Sequence, residues 1–291
     1  MEARRRNSHF INDTLESSEC IIDQSFSDTL LTHIIGNYDD SVQTPLFLAI
    51  QGNPGEGKTF QTLNICKKHH IKICYYSGAE LSGNYEKDSI IELSEDYTRA
   101  CNYYNDGEYC VIVIDDFHLS PASAKNGVGT TINSQLLIGY LMNLCDKSKS
   151  KQIESIPVIL LGNTFKDVYD PLKRDGRMDF FHWEASYELK KQIVECIFRD
   201  YISFFDRFRL EHFVDKYKDQ PISFFTEIKN DIDKNHIKSS LNQLQHEDIR
   251  TFILNRNSQK AKQISMSKLF ELAEQRISNK TCSSEGAEWQ L

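Results

Sequence analysis

The 291-residue chain lacks the patterns that mark secreted, zinc-binding or membrane-spanning proteins. Its eight cysteines include no C-x-x-C pair, and several lie inside apolar runs, which favours reduced core thiols over a disulfide framework or a zinc site. No apolar run approaches the ~18 residues of a membrane span. No apolar segment of signal-peptide type follows the basic start of the chain. We therefore expect a cytoplasmic protein with no membrane partner.

The chain also lacks an excess of basic residues, since its formal net charge is −8 at pH 7. Proteins that bind nucleic acid generally present basic faces, so this composition does not favour nucleic acid as a partner. With 40% hydrophobic residues, the chain has enough apolar material for a substantial core. Its length allows two domains or one large one.

One glycine-rich stretch dominates what is present, because it fits the phosphate-binding pattern G-x-x-x-x-G-K-[ST]. Glycines let successive backbone N–H groups surround an anion, and the helix that follows adds its positive N-terminal end. We expect Lys58 to reach the β- and γ-phosphates and the Thr59 hydroxyl to ligate Mg²⁺. The sequence thus predicts binding of ATP or GTP, with Mg²⁺, by Gly52, Asn53, Pro54, Gly55, Glu56, Gly57, Lys58, Thr59 and Phe60.

Around this loop, short apolar runs alternate with helical segments, which is typical of a parallel α/β sheet covered by helices on both faces. The predicted strands are 46–50, 71–76, 109–114, 157–161 and 180–183, and the predicted helices between them are 59–69, 87–104 and 132–146. After residue 186 only helical patterns remain, at 188–201, 210–217, 222–233 and 267–277. We predict a polar N-terminal segment (1–40) with a short helix at 27–36, an α/β nucleotide-binding domain (41–185), an all-α lid domain (186–280) and a flexible tail (281–291).

Polar residues end two of the predicted strands. Asp115 and Asp116 follow an apolar run, and we assign Asp115 to Mg²⁺ and Asp116 to the water that attacks the γ-phosphate. Asn163 ends another run and is a candidate contact to that water or to the phosphate, although a plain turn role remains open. Arg174 and Arg177 flank a glycine turn, and guanidinium groups stabilise the charge of phosphoryl transfer.

The order of these features resembles the AAA+ ATPases, and several stretches resemble one branch, Rubisco activase. The matching stretches run from about residue 46 to residue 230 and comprise Gly57–Gln61, Ser77–Asn84, Asn133–Gln135, Leu141–Asn143, Arg174–Met178 and Gln220–Phe225. The phosphate-binding loop is common to many NTPases, whereas the R-D-G-R-M and S-G-A-E-L-S-G-N stretches are far more specific.

This resemblance implies a homo-oligomeric ring, expected to be a hexamer, that binds ATP between subunits and acts on a protein client. Arg174 and Arg177 would then serve the neighbour's ATP, and Asn163 would be the sensor. The lid position that carries an arginine in the family aligns with Lys229, for which an ordinary surface role remains open. Tyr85 lies in the stretch that matches the first pore loop, and residues 119–131 are a candidate second pore loop.

The chain also departs from the family pattern. Only about forty residues precede the core, the segment 146–157 looks shorter, and His118 stands where the family usually has an acid. Inhibited Rubisco is therefore one candidate client, and a different protein is the other. Two alternatives from other classes remain: a nucleic-acid motor or loader, and a nucleotide-switched scaffold with little turnover.

Overall fold

The computed structural model describes residues 9–11, 21–82, 88–120, 122, 132–203, 206–242, 248–257 and 263–285. The chain divides into two compact units between Glu184 and Ala185. The first unit contains the sheet, and the second contains helices.

The first unit is built on a five-stranded sheet whose order is β2-β3-β4-β1-β5, with every neighbouring pair parallel. The strands are β1 (Phe47–Gln51), β2 (Lys72–Ser77), β3 (Cys110–Asp115), β4 (Val158–Gly162) and β5 (Met178–His182). The helices of this unit are α1 (Gln24–Tyr38), α2 (Lys58–Lys68), α3 (Asp88–Asn105) and α4 (Ile132–Lys149). The predicted α/β fold with a parallel sheet is confirmed.

The central strands β3, β4 and β1 are buried on both faces, which is why they are apolar runs rather than alternating patterns. One set of alternate strand residues packs with α3 and α4 in a single core, as Ile112 and Leu160 do against Leu93 and Leu141. On α1, Phe26 is fully buried and makes edge-to-face contacts with Phe181 and Trp183 beside β5.

Residues 9–11 add an antiparallel connection to the free side of β2. Phe10 forms a bridge with Cys74, while Ile11 N donates to Ile73 O (3.0 Å) and Tyr75 N donates to His9 O (2.9 Å). The His9 ring stacks on Tyr76, with ring centroids 4.1 Å apart. The apolar Phe10–Ile11 pair near the start of the chain therefore belongs to the sheet unit, a role that the sequence did not indicate.

The second unit contains α5 (Tyr187–Phe198), α6 (Arg207–Lys216), α7 (Ile222–Ser240), α8 (Ile249–Asn257) and α9 (Met266–Glu285). Its core is rich in aromatic side chains, and Phe213 alone contacts four other rings. Ser186, near the start of the unit, caps α5, because its hydroxyl accepts from Leu189 N.

Several predicted boundaries differ from the structure. Helix α1 begins three residues earlier than predicted, since the Asp23 side chain caps it by accepting from Phe26 N. Strand β5 begins at Met178 rather than at residue 180. Helix α9 continues to Glu285, into the segment predicted as a tail. Helix α8 was not predicted, because its exposed Ile249, Ile253 and Leu254 do not form a core-facing pattern.

Candidate functional site

The carboxyl ends of β1, β3 and β4 bring the predicted site residues together, where open α/β sheets bind ligands. Lys58 begins α2 directly after the glycine-rich loop and is only 8% exposed. Its Nζ atom donates to Gly52 O (2.8 Å), Asn53 O (3.0 Å) and the Asn163 side-chain oxygen (3.2 Å). Asn163, which lies 105 residues further along the chain, thus reaches the lysine of the loop.

The Asp115 carboxylate lies beside the first turn of α2 and has three donors. Its Oδ2 accepts from the Thr59 hydroxyl (2.7 Å) and from the Tyr75 hydroxyl (2.8 Å). Its Oδ1 accepts from Asp116 N (2.8 Å). Burial, together with the bond to Asp115, raises the pKa of the Tyr75 phenol, so the hydroxyl remains a donor at neutral pH.

Asp116 is held in a left-handed backbone conformation, with φ 50° and ψ 39°. Its carboxylate is 56% exposed, and its Oδ1 is 4.0 Å from His118 Nδ1. A Cβ atom on Gly78 would lie 2.3 Å from Asp116 O, so only glycine fits against this turn. Asp116 therefore projects into solvent from a backbone that the loop after β2 supports.

Trp183 supports the phosphate-binding loop from the end of β5. Its backbone N donates to Gln51 O (2.7 Å), and its indole Nε1 donates to Glu56 O (2.8 Å). The Trp183 carbonyl also lies so near Gly52 that a Cβ there would be 2.2 Å away. Packing against Trp183 therefore requires glycine at position 52, in addition to the requirement of the motif.

Gln61, on α2, joins this helix to the segment before α1. It is 2% exposed, accepts from Asp23 N (3.1 Å) and donates to Ile21 O (3.1 Å). These two bonds connect the helix that follows the loop to the residues that lead into α1.

One cation and one helix N-terminus lie beside the phosphate-binding loop. Burial lowers the pKa of Lys58, while the nearby carboxylates of Asp115, Asp116 and Glu56 oppose that shift. Helix α2 has Gly57 as its N-cap, with no side-chain bond to its first turn. The cation and the helix N-terminus therefore face the same loop, as nucleotide phosphates require.

The residues present also fit a magnesium ion. The Thr59 hydroxyl and the Asp115 carboxylate are the hard oxygen donors that Mg²⁺ prefers. Across the described ranges, no group of three or more His, Cys, Asp or Glu side chains is placed to hold a metal ion. A cation here would thus depend on Thr59, Asp115, water and nucleotide oxygens.

The arginine turn lies at the opposite edge of the sheet. Arg177 O accepts from Phe47 N (3.1 Å) at the first residue of β1, whereas the phosphate-binding loop follows the last. Five strand residues separate the two edges by roughly 13–17 Å. Arg174 and Arg177 are therefore remote from the Lys58 of their own chain.

The two arginines differ in their contacts. The Arg177 guanidinium is 17% exposed and donates to Pro171 O (2.9 Å) and to both Asp146 oxygens (3.0 and 3.3 Å). Arg174 is exposed, and its side chain makes no hydrogen bond or ion pair with any residue that the structure describes. Only Arg174 is thus free to reach another molecule without first breaking a contact.

A groove of about 910 Å³ also lies at this amino edge, between the end of α1 and the connection from α4 to β4. Its lining includes Tyr38, Tyr104, Lys149 and Glu154. None of the predicted site residues lines it.

Of the remaining predicted site residues, the structure describes Lys229 but not Tyr85. Lys229, on α7, donates to Asp233 Oδ2 (3.2 Å) and lies 5.5 Å from the centre of the Tyr201 ring. Burial lowers the pKa of Lys229, but the hydrogen bond to Asp233 raises it, and the pKa is raised on balance. Tyr85 lies outside the described residues, and so does most of the segment 119–131.

Sequence reasoning missed three residues at this site: Tyr75, Trp183 and Gln61. Tyr75 and Trp183 lie in apolar strand runs, so their polar atoms gave no periodic signal. Gln61 follows the lysine of the motif by three residues, and a buried amide there is visible only in the folded chain.

Comparisons with known proteins agree with this geometry. Residues 48–183 match the AAA family, the ATPase family associated with various cellular activities. The chain is 32% identical over 243 residues to a ribulose bisphosphate carboxylase/oxygenase activase of Anabaena, a match that covers 79% of this chain and 58% of the relative. It is 30% identical over 213 residues to the chloroplastic activase of Cucumis sativus (69% and 51%) and 29% identical over 215 residues to that of Chlamydomonas reinhardtii (70% and 52%). The matches thus span between about half and three fifths of each relative.

Proposed function

We propose that this chain, an AAA+ ATPase similar to the Rubisco activases, hydrolyses ATP between the subunits of a homo-oligomeric ring and thereby remodels a protein partner. The observation that carries the proposal is the cluster at the carboxyl edge of the sheet. There Lys58 and Asn163 are joined, and the Thr59 hydroxyl lies 2.7 Å from Asp115.

Within one subunit, the cluster divides the work of binding and positioning. Lys58 exchanges its bonds to loop carbonyls for the phosphates, with which an ammonium pairs more strongly than with neutral oxygens. Thr59 and Asp115 hold Mg²⁺, which when bound neutralises charge on the phosphate oxygens. Trp183 keeps the loop backbone in place on one side, and Gln61 fixes α2 on the other.

Asp116 is the residue that we assign to the attacking water. Its carboxylate is exposed and adjacent to the metal-binding acid, so it can accept a proton from water as the new bond to phosphorus forms. Asn163 is bonded to Lys58 and can change partner when the γ-phosphate is present or absent. In this scheme Asn163 senses which nucleotide is bound.

The second half of the site comes from a neighbouring subunit. The arginine turn lies at the edge of the sheet remote from its own loop, and Arg174 is exposed there. An arginine supplied in trans stabilises transition-state charge and is worth about 10³–10⁵ in rate. Hydrolysis therefore requires assembly, for which we propose a hexamer.

The client is proposed as a protein that pore residues, Tyr85 among them, would contact. Inhibited Rubisco is one candidate, because the relatives are named as its activases, and a different protein is the other. We place the protein in the cytoplasm, a reducing compartment, which the free thiols of six cysteines among the described residues support. No helix among the described residues is long and apolar enough to cross a membrane.

The test measures ATP hydrolysis by the wild-type chain and by Asp116→Asn, followed by capture of the client on the ATP-loaded variant. We expect the wild-type chain at micromolar concentration to hydrolyse ATP and to assemble more strongly when ATP is present. Asp116→Asn should lose ATP hydrolysis. A nucleotide-independent monomer in light scattering contradicts the ring.

Two outcomes would favour the alternatives. ATPase activity that DNA or RNA stimulates would point to a nucleic-acid motor. A function that survives Asp116→Asn but is abolished by Lys58→Ala would point to a nucleotide-switched scaffold.

A further inference from the structure

Tyr75 is a side chain at the site to which neither the motif nor the proposed function gives a task. It lies on β2, two residues before the end of the strand, and β2 pairs with β3, the strand that ends in Asp115. Its hydroxyl crosses to that carboxylate and donates to Oδ2 over 2.8 Å. A strand residue thus contacts the metal-binding acid from the side opposite the phosphate-binding loop in the sheet order.

The three donors to Asp115 are not equivalent. The bond from Asp116 N is a backbone bond to the other carboxylate oxygen. Thr59 shares Oδ2 with Tyr75, but in the proposed function the Thr59 hydroxyl must also ligate the cation. Tyr75 has no such second task, so it is the one side-chain donor whose role stays the same whether or not a cation is bound.

We propose that Tyr75 is a positioning residue whose hydroxyl fixes the orientation in which the Asp115 carboxylate receives Mg²⁺. The inference rests on the proposed function, because it assigns a partner to the acid that holds the ion. Without the phenol, Asp115 keeps one donor on each oxygen, and rotation of its carboxylate is restrained only by Thr59 and a backbone N–H.

The position of Tyr75 is itself supported from the outer side of the sheet. Its backbone N donates to His9 O, within the antiparallel connection made by residues 9–11. The next residue, Tyr76, donates to Asp96 Oδ2 over 2.6 Å, and the same oxygen lies 2.9 Å from His9 Nδ1. The edge strand that carries Tyr75 is therefore bonded on both sides.

Tyr76 supplies the matched control. Tyr75→Phe and Tyr76→Phe each remove one hydroxyl that donates to a carboxylate, and both keep the aromatic ring. The two residues lie on the same strand. Only the first of these carboxylates belongs to the metal site. A general weakening of β2 would affect both variants, whereas a loss of positioning would affect Tyr75→Phe alone.

The experiment titrates Mn²⁺, as a paramagnetic substitute for Mg²⁺, into the full chain with saturating ADP, and follows free Mn²⁺ by electron paramagnetic resonance. We expect Tyr75→Phe to weaken Mn²⁺ binding about tenfold, equal to about 1.4 kcal/mol, which matches a bond to a charged group. ADP binding in EDTA should stay within about twofold of wild type. Tyr76→Phe should bind Mn²⁺ as wild type does while unfolding at a lower temperature.

The possible failures are distinguishable. Equal Mn²⁺ affinity in Tyr75→Phe and wild type overturns the inference and leaves the proposed function standing. Tighter binding by Tyr75→Phe also overturns it, since the phenol would then compete with the cation. A wild-type chain that binds neither ADP nor Mn²⁺ with ADP overturns the proposed function and the inference together.

Discussion

The two edges of the sheet are organised in opposite ways. At the carboxyl edge, Lys58, Thr59 and Asp115 have short bonds to partners within the same chain. At the amino edge, Arg177 is bonded to Asp146 and Pro171, while Arg174 is exposed and its side chain makes no hydrogen bond or ion pair with a described residue. The side chains at the carboxyl edge are paired within the chain, whereas Arg174 at the amino edge is an exposed cation.

We expect this difference to separate nucleotide binding from hydrolysis. A preformed cluster needs little rearrangement to bind phosphates, so an isolated subunit should already bind nucleotide. A guanidinium about the length of a strand away from its own loop cannot serve that loop, so turnover should depend on a neighbour. The following variants test the two edges separately.

The largest effect on nucleotide binding is expected for Lys58→Ala at the carboxyl edge. It removes the buried cation that has three bonds around the loop, and the phosphates lose their charge partner. We expect ADP affinity to fall at least about a hundredfold, because bonds to charged groups contribute about 1.5–3 kcal/mol each. Isothermal titration measures this, with Lys68→Ala in the last turn of the same helix as the control. Equal losses in both variants contradict the assignment.

Arg174→Ala should instead have the largest effect on turnover, which is a different step. We expect kcat to fall by about 10³, with the ADP affinity of the chain unchanged, because the proposed role of Arg174 is in the transition state at a neighbour's site. A mixture of Lys58→Ala and Arg174→Ala subunits should regain turnover at interfaces that pair an intact lysine with an intact arginine. Wild-type kcat in Arg174→Ala, or a mixture no more active than its parts, contradicts action in trans.

Asp146→Ala should reduce turnover by about tenfold. The carboxylate holds Arg177 with two bonds at 3.0 and 3.3 Å, and its loss lets the turn that carries Arg174 move. Arg177→Ala should match it, and the double variant should lose no more than either single one, as expected of a coupled pair. Asp170→Ala, which breaks the nearby pair with Lys173 instead, is the control. Additive losses would show that Arg177 has a task beyond its pairing with Asp146.

Trp183→Phe, at the carboxyl edge, should have the smallest effect. The phenyl ring keeps most of the packing but cannot donate to Glu56 O, which loses a bond of 2.8 Å. Removing one neutral hydrogen bond costs about 1 kcal/mol. We therefore expect ADP affinity to fall about fivefold, measured by titration beside the unfolding temperature. A lower unfolding temperature with unchanged affinity would assign Trp183 to stability alone.

The carboxyl edge was largely predictable from the sequence because its residues follow a local rule. A glycine loop after one strand and acids after another must meet where parallel strands end, so the spacing of the motifs alone is enough to place Lys58, Thr59 and Asp115 together. The fold class follows from the same alternation of strands and helices. The prediction for Asn163 depended on assigning a strand before it, and in the structure Asn163 is bonded to Lys58.

Contacts that join distant parts of the chain were not predictable. Nothing in the sequence pairs Arg177 with Asp146, 31 residues away, or joins Tyr75 to Asp115. Residues 9–11 join β2 through backbone bonds and the stacked His9 ring, and so short a segment carries no strand pattern in the sequence. Helix α8 was missed because tertiary contacts rather than an apolar stripe decide whether so short a segment is helical.

The left-handed backbone of Asp116 has a practical consequence for trapping a client. At φ 50° most side chains are strained, whereas Asn and Asp tolerate this region because their short polar groups bond locally. Asp116→Asn therefore removes the charge and leaves the turn relaxed, while Asp116→Ala adds a conformational penalty of about 1 kcal/mol. An asparagine variant should thus keep the wild-type shape of the turn after β3, whereas an alanine variant would combine blocked chemistry with a distorted turn.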